Sequence, residues 1–144
     1  MTRPRWAVAL ISVGAVAVLS FVGCEIRESH YASSEQARGD HAFERGWLPE
    51  QLGQGATNIS ESHDLDSNRG RASFDYSASV LEGLEKNCFK VPPNEKVTSP
   101  LGWPKIIETQ PTSAELSSHG VEAFHCGSFS VLLDTKNRTG FLWH

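Results

Sequence analysis

Eighteen residues, WAVALISVGAVAVLSFVG from Trp6 to Gly23, carry no charge and cannot take part in a water-facing fold. They follow Arg3 and Arg5 and stop at Cys24, where the chain turns abruptly polar with EIRESHYASSEQARGD. A basic start, an apolar stretch and a polar continuation are the three zones of an export signal. A run of this length also lies at the lower limit for crossing a bilayer, and Trp6 suits an interface, so an uncleaved anchor stays open beside cleavage. Of 144 residues, those left are enough for one domain of ordinary size and too few for two.

The end of the run, LSFVGC, resembles the bacterial lipoprotein signal, in which a small residue precedes a cysteine that is lipidated and becomes the first residue. Gly23 and Cys24 fit, with Phe21 where Leu is usual. The resemblance implies a lipid on Cys24 and a domain in the bacterial cell envelope facing the periplasm. Glu25, where enterobacterial retention signals have Asp, leans toward the outer membrane. The other readings are a single-span anchor in the inner membrane and an ordinary cleaved signal. In the first two the membrane is a partner of the domain.

Arg3 and Arg5 belong to the leader, so 11 Lys and Arg remain against 17 Asp and Glu, about −6. That balance, without a basic cluster, argues against nucleic acid, whose binding rests on clustered cations neutralising phosphates. The leader accounts for one of three cysteines, and an exported domain in an oxidising compartment would join the other two, Cys88 and Cys126.

Along the chain, residues 24–45 are polar, have no apolar period, and read as a tether with helical character near Ser34 to Glu44. The globular domain is expected at 46–144. Trp47 and Leu48 precede Pro49, which starts a short helical turn through Leu52. In ATNISESHDL, Thr57, Ile59, Glu61 and His63 alternate with polar residues, and in RASFDYS Ala72, Phe74 and Tyr76 share a face. A hairpin with DSNRG as its loop follows. Val80, Leu81, Leu84 and Cys88 mark one helical face, with Ser77 or Ser79 as cap. The segment 91–120 holds five of the seven prolines and reads as connection, with WPKII giving Trp103, Ile106 and Ile107 to the core. Val121–Cys126, Ser128–Asp134 and Gly140–Trp143 read as a three-strand meander. The expected fold is α+β: a small antiparallel sheet, built from an N-terminal hairpin and this meander, packed with one main helix in a single domain.

The stretch HDLDSNRG carries the strongest hint of chemistry. Asp64, Asp66 and Asn68 fall at positions 1, 3 and 5 of a calcium loop and Asp75 at position 12, though Arg69 stands where the loop needs Gly. The same residues also suit a hairpin bend, with carboxylates bonding backbone amides. His63 beside Asp64 and Asp66 could offer imidazole and carboxylate to a transition metal only with a further ligand from elsewhere. Ser62, His63 and Asp64 make no hydrolase triad by adjacency, since triad members meet in space from separate parts of a chain. His125 next to Cys126 would activate a thiol only if that thiol were free. His30, His41, His119 and His144 read as solvated.

GWLPEQL, ATNISESHDLDSN and ASFDY, between Gly46 and Phe74, follow one another in an order similar to that of small uncharacterised bacterial membrane-attached or secreted proteins. That resemblance implies a recurring local structure and no established activity. The expected function is a membrane-tethered extracytoplasmic binding or envelope-accessory module without catalysis or cofactor, with an envelope protein as candidate partner. Its candidate binding residues are Trp47, His63, Asp64, Asp66 and Asn68. The alternative is a calcium- or metal-dependent module using Asp64, Asp66, Asn68 and Asp75, and a hydrolase is the third class.

Overall fold

A computed structural model describes residues 25–144, so the export-signal reading and Cys24 lie outside the described residues. Strands β1 (Ile26–Ser33), β2 (Ala56–Asp64), β3 (Arg69–Tyr76), β4 (Phe89–Lys90), β5 (Val121–Cys126), β6 (Phe129–Asp134) and β7 (Thr139–Trp143) form one antiparallel sheet. Their order is β1-β2-β3-β7-β6-β5-β4. Helices α1 (Ser34–Gly39), α2 (Ala78–Asn87) and α3 (Ser113–Ser118) complete the described chain with two 3-10 turns, Glu50–Leu52 and Lys105–Ile107. The architecture is α+β with α2 as its longest helix. None of the described helices is long and apolar enough to cross a membrane.

The expected tether at 24–45 is corrected by this arrangement. Residues 26–33 form the edge strand beside β2, and Tyr31, Ala37, Ala42 and Phe43 are buried. The strand reads as polar because it is an edge whose second face is solvated, leaving Tyr31 as its one buried side chain. Ser33 caps α1 by accepting from the Gln36 amide, a bond that lets the strand turn directly into the helix.

The β2–β3 hairpin closes at Leu65–Asn68, not at DSNRG, because Arg69 already pairs with Asp64. Asn68 takes the left-handed conformation that the turn requires, φ 52°, and Gly70, expected in the loop, lies in β3. Asp64 accepts from the Asp66 and Ser67 amides at 2.9 and 3.2 Å and from the Ser67 hydroxyl at 2.8 Å. The β6–β7 hairpin repeats the device: Asp134 accepts from the Lys136 and Asn137 amides, and Arg138 has φ 58°. In β2 the pairing register shifts between Thr57 and Ser60, where Asn58 has φ 49°. Ala56 and Ile59 are therefore both inward, and Thr57 leaves the face that Ile59, Glu61 and His63 share.

One face of the sheet packs against α1, the 42–52 segment and α2, with Phe74, Leu84, Phe124 and Leu142 in its core. Among the described residues the other is covered only over β5–β7, where Val91, Ile107, Leu116 and Trp143 form a second cluster. The connection 91–120 is thus a covering layer containing α3, whose Thr112 and Glu115 form a reciprocal capping box that the proline-rich reading overlooked. Ile107 is buried in it, whereas Ile106 is 42% exposed and does not serve the core. Ser77 sits at the N-cap of α2 without capping it, its hydroxyl being engaged by Ser79. Cys88 and Cys126 form a disulfide, with Cα atoms 4.7 Å apart, that ties the end of α2 to β5.

Gly140 faces Phe74 directly across the β3–β7 ladder. A Cβ there would lie 2.3 Å from the Phe74 ring, so the ring occupies the space the glycine leaves. Gly140→Ala is expected to cost about 1–3 kcal/mol by overpacking. Urea unfolding checks this, and Phe74→Leu in the same chain should recover part of the loss, as coupled neighbours do.

Candidate functional site

The strands β1–β3 carry two different chemistries on their two faces, since successive residues of a strand point to opposite sides. On the covered face, Ile59, Glu61 and His63 of β2 point inward, and His63 is 1% exposed. The His63 Nε2 and Asn68 Oδ1 lie 3.1 Å apart; with the carbonyl oxygen as acceptor, Nε2 is the donor and Nδ1 is left for other partners. That Nδ1 lies 3.5 Å from Glu61 Oε1, and among the described residues neither it nor either carboxylate oxygen of Glu61 has a hydrogen bond. Trp47 stacks on the His63 ring, centroids 4.9 Å apart, with the guanidiniums of Arg27 and Arg45 over its indole. Both arginines also pair with Asp40.

His144, read from the sequence as solvated, completes this group. Its amide bonds the Gly70 carbonyl, its ring centroid is 5.3 Å from that of His63, and its buried Nε2 has no hydrogen-bond partner among the described residues. Gly70 makes the room, because a Cβ there would lie 2.7 Å from His63 Nδ1 and 2.9 Å from His144 Nε2. Burial pushes the Glu61 carboxyl up to about 7, against the pull of the Arg27 charge. Burial, reinforced by His63, holds the His144 imidazole below its ordinary value. The sequence signal for Glu61 was its phase with Ile59 and His63. Nothing in the local sequence marked His144, which is placed by the β3–β7 pairing.

The calcium set is not brought together. Asp75 pairs with Thr57 at the far end of the hairpin from Asp64, six residues along β3 from Arg69, or about 20 Å at the rise of a strand. It binds the Asn58 amide group instead. The oxygens of Asp64 are taken by the turn, and the Ser67 hydroxyl and amide hold its carboxyl below the usual range. Among the described residues no three His, Cys, Asp or Glu side chains are grouped to hold a metal ion. Of the five candidate binding residues, Trp47 and His63 meet in the buried cluster and the exposed Asn68 reaches it from the turn through His63 Nε2, while Asp64 and Asp66 stay in the turn. Cys126 is disulfide-bonded, so His125 has no thiol to activate, and its Nε2 meets Glu95 at 3.1 Å.

On the opposite face, none of the described residues covers β1–β3. Glu28, His30, Ser60, Ser62, Arg71 and Ser73 floor a groove of about 420 Å³ whose wall is Trp103. Arg71 lies over the Trp103 indole at 5.5 Å, and Phe141 meets that indole edge-on. The His30 Nδ1 and Ser60 hydroxyl are 3.1 Å apart. Among the described residues no carboxylate bonds His30, so the pair lacks the third group that orients a nucleophile's base.

Residues 25–75 match the family model of the YbbD head domain. The match points to a bacterial protein family. It runs from the residue before β1 to the penultimate residue of β3, and so takes in α1, the Trp47–His63 stack, the loop at 65–68 and the floor of the groove contributed by the first three strands. No curated protein and no solved structure matches the chain.

Proposed function

We propose that this chain is a membrane-tethered, extracytoplasmic binding module of the bacterial cell envelope, acting without catalysis, and that its ligand sits in the open groove of β1–β3. The observation that carries this reading is the uneven cover of the sheet: one face is polar and solvated over three strands, with a tryptophan wall beside it. Serine hydroxyls, an imidazole, a carboxylate and a guanidinium in one plane can bond a polar ligand from several directions, and an aromatic wall adds contact area at low entropic cost. The apolar leader and Cys24 support the tether, and the bacterial family match supports the setting. The expected binding surface at Trp47 and His63 moves to the reverse of the same strands, because both side chains are buried.

Photo-crosslinking in the full chain tests the groove. A crosslinking residue at Ser62 or Ser73 is expected to give a discrete adduct in envelope preparations, one at Glu85 on the exposed side of α2 to give none, and Trp103→Ala to reduce the groove adduct severalfold. Equal adducts from Glu85, or none from the groove, would remove this reading.

A further inference from the structure

We infer that the end of the sheet formed by Ile26, the Leu65 turn, Arg69 and Arg71 lies directly against a phospholipid bilayer, with Ile26 and Leu65 entering its interface. The inference rests on the proposed tether and adds to it an orientation.

The distance from anchor to fold carries it. Strand β1 begins at Ile26, two residues beyond Cys24 and three beyond the apolar run. The Glu25 carbonyl accepts from the Leu65 amide at 3.0 Å, which fixes the point of entry of the chain to the tip of the β2–β3 hairpin. No slack is left between a membrane-held Cys24 and the sheet, since two residues span at most about 7 Å. A domain held so closely has to rest on the surface to which it is attached.

The residues at that end match the surface they would meet. Ile26 is 59% and Leu65 41% exposed, two of the four large aliphatic or aromatic apolar side chains that are well exposed to solvent among the described residues, the others being Phe89 and Ile106. Ile26 and Leu101 line a shallow depression of about 310 Å³ together with Arg69, Arg71, Ser62, Asp64 and Ser67. Neither Arg69 nor Arg71 makes an ion pair among the described residues, whereas Arg27 and Arg45 are both spent on Asp40. The acids there are Glu25, Asp64 and Asp66, and Asp64 is committed to the turn amides. Apolar tips beside the guanidinium of Arg69, and beside that of Arg71, which lies over the half-buried Trp103 indole, fit the boundary between acyl chains and phosphate headgroups. Phe89 is 81% exposed, but it lies on β4 at the opposite edge of the sheet, and serves as the control.

The test uses the full chain reconstituted in phosphatidylethanolamine and phosphatidylglycerol vesicles that contain a phospholipid with a photoreactive diazirine in its acyl chain. After irradiation, label at Ile26 and Leu65 is expected to exceed that at Phe89 severalfold, and to fall to the Phe89 level in Ile26→Ser/Leu65→Ser. Both positions are exposed, so the variant should keep its fold, and its unfolding curve verifies this. If the chain floats with the vesicles and is labelled within residues 1–24 while 26 and 65 match Phe89, the docking is overturned and the tether stands. If the chain does not float with them, the tether falls and the docking with it.

Discussion

Replacing Cys88 and Cys126 together by serine is expected to lower the stability of the domain by about 4 kcal/mol, the loop-closure entropy of a crosslink spanning 38 positions. The loop it closes is not a loose excursion. It holds β4 and β5 as well as the layer that covers β5–β7, including α3, Val97 and Ile107, and that layer joins the sheet through bonds such as that from the Val91 amide to the Ala123 carbonyl. Without the bond, the unfolded chain regains the freedom of the whole segment, and α2 loses its covalent hold on β5. Denaturant unfolding of the oxidised chain, the reduced chain and the double variant checks this. The reduced chain and the variant should coincide, both well below the oxidised chain, and three coincident curves would contradict the expectation.

Glu61→Gln is expected to abolish most of a pH dependence of stability that the unsubstituted chain should have in the opposite direction from ordinary acid denaturation. Glu61 is 3% exposed and its carboxyl titrates near 7 in the folded chain, against an ordinary value of 4.5. A carboxyl whose folded pKa is raised contributes stability that is complete below 4.5 and is lost as pH climbs through about 7, because the folded state must then hold a buried charge. The span corresponds to about 3 kcal/mol at the standard conversion of one pKa unit. His144 works the other way: its lowered pKa makes its contribution present above 6.5 and lost as pH falls. Glu61 therefore governs the decline from about pH 5 to about pH 8, and its Gln variant should be the more stable chain at the upper end. Unfolding at the two pH values reads the difference. A decline of the same size in Glu61→Gln would place the titrating group elsewhere.

Much of this architecture was legible wherever hydrophobic alternation is strong. The β2–β3 hairpin, the helix bearing Val80 and Leu84, the 121–143 meander and the cysteine pair stand close to where the sequence puts them. The misreadings have local causes. IRESHYAS looks like a tether because an edge strand with one solvated face needs only Tyr31 for the core. The 91–120 segment hid α3 because prolines surround, but do not enter, a six-residue helix with its own capping box. Asp64 and Asp75 matched a loop spacing that holds only if the chain between them coils, and here it runs as a strand. His144 carries no local signal of its surroundings, since its neighbours Gly70 and His63 are supplied by a ladder between distant segments.

The sheet is joined at β3–β7, where Arg71 meets Trp143 and Asp75 meets Thr139. During synthesis the first three strands are complete at Tyr76, yet the inner edge of β3 has no mate until the last strand has emerged. Through that interval a strand destined for the middle of a sheet is an open edge, the kind of surface that recruits foreign strands. Biogenesis of this protein therefore has a vulnerable period set by its topology, and whatever shields the nascent β3 in that period guards the chain against aggregation.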